Sequence, residues 1–173
     1  MSLRELKMEL QKQSKADLIK HIAELYKKYK PLKEYFSFYM HPDEKALLEE
    51  YKQKVYEGFY PKRGEDIKLA VARKAINAFK KLGASEEKQV ELELYFVQCG
   101  VDILNDYGDM WEAFYTSMEN TYDRALSKAA QLGILDKVKP YAQKINEEGQ
   151  DKGWGFSDFI YDAYFQHYPE DLE

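Results

Sequence analysis

The chain has 173 residues, among them nine Gly, five Pro, fifteen Tyr and a single Cys, and a net charge of −5. That length suits one domain burying about 70% of its unfolded-chain surface, and so little Gly and Pro argues against long loops. One cysteine excludes an internal disulfide and a thiolate zinc cage, and the acidic balance argues against general nucleic-acid binding.

The opening Met1-Ser2-Leu3-Arg4-Glu5-Leu6-Lys7 has no apolar h-region, so no secretory signal is expected. No run approaches the roughly 18 apolar residues of a membrane span, and a soluble cytoplasmic protein follows. Ser2 with Glu5 reads as a capping box, and Leu3, Leu6 and Leu10 make the first helical stripe. Ser14 with Asp17 repeats the start signal before Leu18, Ile19, Ile22, Leu25, Tyr26 and Tyr29, with Pro31 as the stop. A short aromatic segment runs from Leu32 to Tyr39, and His41-Pro42-Asp43 restarts the chain.

Leu47, Leu48, Tyr51, Val55, Tyr56 and Phe59 continue a helical face up to the turn Tyr60-Pro61-Lys62-Arg63-Gly64. A helix from Asp66 carries Ile67, Val71, Ala75, Ala78, Phe79 and Leu82 and stops at Gly83. Ser85 caps a long helix that Gly108 breaks, and the next runs from Trp111 to near Gly133. Leu135 to Ile145 is shorter, residues 149–155 are a Gly-rich loop, and Ser157 caps a last aromatic helix. Sustained alternation and hairpin turns are missing, so strands are not expected. The prediction is an all-α fold: a single domain over 1–173 of seven or eight helices, with 1–30 a basic helical hairpin. An irregular antiparallel bundle ranks ahead of a short solenoid of helix pairs, because no repeat period is found.

Charge alternates along the chain. Residues 1–33 hold nine Lys/Arg against four Asp/Glu, and residues 83–123 hold one against ten. Complementary faces of neighbouring helices explain such blocks, and a basic surface for an acidic partner is the sharper alternative.

Three His each have an acid three positions on, but the order opposes the Glu-x-x-His of di-iron bundles, so no metal site or cofactor is assigned. Asp102 and Asp106 share a helical face, with Tyr107 and Asp109 following around Gly108. These oxygens could hold a divalent cation, although the calcium-loop spacing is not met; the plainer reading makes Asp109 an N-cap and pairs Asp106 with a cation of 61–81. Lys62, Arg63 and Arg73 could grip a phosphate or carboxylate, without the spacing of a nucleotide loop. Cys99 lies among apolar residues and reads as an inert core thiol. Gly153-Trp154-Gly155-Phe156 places Trp154 either as a plug against earlier helices or as a ligand-stacking ring.

The segments Leu25-Tyr26-Lys27-Lys28-Tyr29-Lys30-Pro31, Phe59-Tyr60-Pro61-Lys62-Arg63-Gly64, Asn105-Asp106-Tyr107-Gly108-Asp109 and Gly153-Trp154-Gly155-Phe156 resemble an uncharacterised family of small all-helical bacterial proteins. The resemblance spans the chain and implies a bacterial cytoplasmic setting, with no activity to carry over. The leading expectation is a non-enzymatic, all-helical interaction protein, with a protein partner or a second copy meeting a Tyr-rich face. The alternative is a metal- or small-ligand-dependent enzyme using the 102–112 acids. A weaker one is nucleic-acid binding through the basic hairpin.

Overall fold

A computed structural model of the chain describes residues 1–62 and 66–172. Among them are nine α-helices, a closing 3₁₀ turn at Pro169–Asp171 and no strand. The fold is all-α, with one more helix than the upper expectation. The chain divides into two compact units, Met1–Asp43 and Glu44–Glu173.

In the first unit, α1 (Leu3–Gln11) opens on the expected capping box: the Ser2 N–H donates to Glu5 Oε2 at 2.8 Å and the Glu5 N–H to Ser2 Oγ at 3.2 Å. The start of α2 (Lys15–Lys28) differs because Asp17 is one carbon shorter. Its carboxylate accepts from the Ser14 hydroxyl at 2.6 Å while the Asp17 N–H donates to that same oxygen at 3.1 Å. Pro31 does not leave a loop behind it. Tyr29 is extended, and Pro31 lies in the first turn of α3 (Lys30–Met40), where its missing N–H costs nothing. The aromatic segment is therefore a helix, packed on α2, with Tyr26 and Phe36 rings 6.4 Å apart.

The second unit is built around α6 (Glu86–Tyr107), which packs against α4 (Glu44–Phe59), α5 (Leu69–Lys81), α7 (Glu112–Leu132) and α8 (Leu135–Glu148). Eleven of its 22 residues are buried, on nearly every face, which suits a helix surrounded by others. In a solenoid each helix would touch only its neighbours, so α6 makes this unit a bundle. The last helix, α9 (Phe156–His167), closes against α7 and α8. Phe59 meets Phe96 at 5.0 Å and Phe114 at 6.1 Å, both edge-on, in the middle of the core. Two glycines permit close helix contacts: a Cβ on Gly58 would lie 2.8 Å from Ala72 N and Cβ, and one on Gly100 would overlap Met118 Sδ.

Three local expectations are corrected. The helix expected from Asp66 begins at Leu69, after the Lys68 N–H has bonded Gly58 O at 2.7 Å. Ser157 does not cap α9. It lies inside the first turn, accepting from the Lys152 N–H at 2.7 Å and so tying down the preceding loop. Trp154 is not a plug: it and Gly155 both take left-handed backbone (φ 60° and 73°), which turns Phe156 into the core and leaves Trp154 64% exposed.

Candidate functional site

At one end of the second unit, the turns joining α4 to α5 and α6 to α7 border a cleft of about 540 Å³. Its floor is apolar, from Phe59 and Ile103, and its walls carry Tyr60, Tyr107, Met110 and Trp111. Lys62 and Asp66 bring the only formal charges among the described lining residues. An apolar cavity with a few convergent polar groups is the usual form of a small-molecule site.

Each wall stands at the end of a helix. Tyr60 follows the last turn of α4, stacks on Tyr56 at 4.5 Å and donates its hydroxyl to Asp106 Oδ2 at 3.2 Å. Burial, then the Asp106 bond, pushes the Tyr60 hydroxyl well above its ordinary range, so it stays a donor at any physiological pH. Gly108 takes φ 84° and ends α6, leaving Tyr107 69% exposed. Trp111 stands at the N-cap of α7 without a side-chain capping bond, edge-on to Phe114 at 5.5 Å. The expected N-cap, Asp109, instead accepts from the Tyr115 hydroxyl at 2.7 Å. That bond and burial, with burial the larger cause, push Tyr115 up to about 12.

The acids expected to act together are each held singly. Asp102 accepts from Gln98 Nε2 at 2.8 Å, Asp106 from Tyr60 and Asp109 from Tyr115. Among the described residues no three His, Cys, Asp or Glu side chains converge in a way that could hold a metal ion. Lys62 and Tyr107 share the cleft, and Asp106 adjoins it through Tyr60. Asp109 reaches the 149–155 loop, where a Cβ on Gly153 would sit 3.1 Å from Oδ1, so exposed Trp154 belongs to a neighbouring segment. Arg73 is elsewhere, in a polar groove between α5 and α7. Arg63 lies outside the described residues. Asp66, Met110 and Trp111 are among the cleft residues that the sequence does not single out as a site; Trp111 reads there as the start of α7.

Cys99 is buried, and burial pushes its thiol up to about 12, so at neutral pH it is no nucleophile.

A different surface is found on the first unit. None of α1, α2 or α3 has a buried residue. Leu3 and Leu6 of α1, and Ile19, Ile22 and Tyr26 of α2 with Tyr29 after it, are all exposed, as are Tyr35 and Tyr39 of α3. Residues 1–43 carry nine Lys/Arg against six Asp/Glu, a net +3, and residues 44–173 carry 17 against 25, a net −8. Among the described residues no helix is long and apolar enough to cross a membrane.

Comparison with known proteins gives a family-model match over residues 1–165, to a family described as Family of unknown function (DUF6155). No curated protein and no solved structure matches.

Proposed function

The chain belongs to that family, and we propose that it is a non-enzymatic interaction protein that self-associates through the apolar face of α1–α3. The observation that carries this reading is the first unit itself: three amphipathic helices and no buried side chain. Forty-odd residues without a disulfide or metal are at the lower limit for a stable independent core, so such a face gains by being covered. Each Leu, Ile or Tyr taken from water would contribute about 1.5–3 kcal/mol. Tyr suits the role because its ring packs while its hydroxyl stays wet.

Charge complementarity selects the occupant. Two N-terminal units would bring like charge together, whereas the basic unit of one chain meets opposite charge on the acidic 44–173 unit of a second copy. Made reciprocally, that exchange closes a two-fold dimer. A cytoplasmic setting is part of the proposal, supported by the lone free Cys99. Light scattering across a concentration series should show a dimer that weakens with added salt, and Ile19→Glu with Ile22→Glu should leave a folded monomer. A monomer at every concentration and low salt would overturn the proposal.

The cleft supports a second reading, as a binding site for a flat apolar molecule with one charged group. Stacking between Trp111 and Tyr107, with Lys62 and Asp66 at hand, would favour such a shape. A naphthalene sulfonate dye should quench Trp emission in the wild type and lose about ten-fold in affinity in Trp111→Ala; unchanged affinity would remove this reading.

A further inference from the structure

The groove between α5 and α7 gathers three cations, Arg73, Lys80 and Arg124, in a unit whose net charge is −8. It has a volume of about 430 Å³. Arg73 and Lys80 reach it from α5 and Arg124 from α7, with Asn77, Asn120 and Thr121 as neutral partners. No carboxylate is among its described lining residues. Arg73, Asn77 and Lys80 are spaced i, i+4 and i+7, and Ser117, Thr121 and Arg124 repeat that spacing on the facing helix, so two helical faces supply the two walls.

Two of the cations are held in place from below. Glu93 of α6, only 3% exposed, accepts from Lys80 Nζ at 2.6 Å and from Arg124 Nε at 3.0 Å. Arg124 Nη2 also lies 3.4 Å from Thr121 Oγ1. One carboxylate against two cations leaves a positive charge at that end, already ordered before any ligand arrives. At the other end Arg73 has no ion pair among the described residues. It opens into an adjoining hollow of about 360 Å³ that it shares with Ser117 and Asn120, where Glu112 is the one acid among the described lining residues. Arg73 and Lys80 are seven residues apart on one helix, an axial separation of roughly 10 Å. A single small anion cannot reach both ends, but a molecule with several anionic groups can.

We propose that this groove binds a small polyanion carrying two or more phosphate or carboxylate groups. Arg73 provides a planar fork for one group, and Lys80 with Arg124 receive another. The amides of Asn77 and Asn120 bond the oxygens between them. Fixing the cations through buried Glu93 lowers the ordering cost of binding.

Calorimetry at low ionic strength, with tripolyphosphate and citrate as probes, tests this. Binding of either probe, weakened at least ten-fold by Arg73→Gln and several-fold by Asn120→Ala, is the expected result; the two probes separate phosphate from carboxylate preference. Lys74→Gln removes the same charge from the same helix outside the groove and should leave affinity within two-fold. Absence of heat with both probes, or equal loss in Arg73→Gln and Lys74→Gln, would overturn the proposal. All three positions are exposed, so the variants should keep the wild-type melting temperature. The oligomeric state of Arg73→Gln stays as in the wild type, which keeps this test separate from that of self-association.

Discussion

Whether a glycine can be replaced depends on what its missing side chain would strike. Gly58 and Gly100 both lie in helices, where Ala is favoured by about 1 kcal/mol. At Gly58 the new Cβ meets the backbone of Ala72, which cannot yield without parting α4 from α5. At Gly100 it meets Met118, whose flexible chain can turn aside. Gly58→Ala should therefore destabilise by about 2 kcal/mol, a drop of several degrees in melting temperature, while Gly100→Ala stays near neutral. Equal losses in a thermal melt would show that Met118 is as fixed as the Ala72 backbone. Single residues also differ in how far the local sequence specifies their contacts. The Ser2–Glu5 box depends on four consecutive residues and could be read directly. The Asp109–Tyr115 bond spans a turn and a helix start, and no local spacing rule announces it.

Among elements, α9 and the 3₁₀ turn show how a terminal helix is held. Tyr164 donates its hydroxyl to Asp171 Oδ2 at 2.5 Å, and Lys139 of α8 reaches Asp171 Oδ1 at 2.8 Å. The Lys139 bond, then the Tyr164 bond, hold the Asp171 carboxyl below its ordinary 3.8. A depressed carboxylate contributes stability that is complete above the unfolded value and is lost as pH falls through the folded one. The α9 end should therefore loosen below about pH 4 in the wild type, and Asp171→Asn should loosen it already at neutral pH. Amide exchange over residues 160–172 measures both. Element types were legible because apolar periodicity persists through α4 to α8. The element hidden from the sequence is α3: Pro31 reads as an end, yet in a first turn proline is equally a beginning, and only the chain direction set by Tyr29 decides between them.

Across the whole molecule, burial is divided unequally. The core residues all lie from Leu48 onward, with α6 at the centre, whereas α1–α3 have none. Local opening should follow that division. Amides of α1–α3 should exchange orders of magnitude faster than those of α6 in dilute protein, and should gain protection as concentration rises if a second copy covers them. Rapid exchange at all concentrations would count against self-association, and slow exchange throughout would show a unit stable alone. At this scale the sequence disclosed the basic N-terminus and the all-helical class. It did not disclose the cleft or the groove, because each is assembled from helices distant in the chain: Arg73 and Arg124 line one groove only once α6 has set α5 and α7 on either side of it.

The placement of the two tryptophans has a spectroscopic consequence. Trp111 is 48% exposed and Trp154 64%, and the segments carrying them abut through Asp109 and Gly153. Intrinsic emission excited at the red edge therefore comes from one end of one unit, in surroundings already half aqueous. It will shift little when the core melts, so fluorescence traces of this protein report on a small corner of it. The tyrosines, five of them buried and the rest spread over both units, are the chromophores that follow folding.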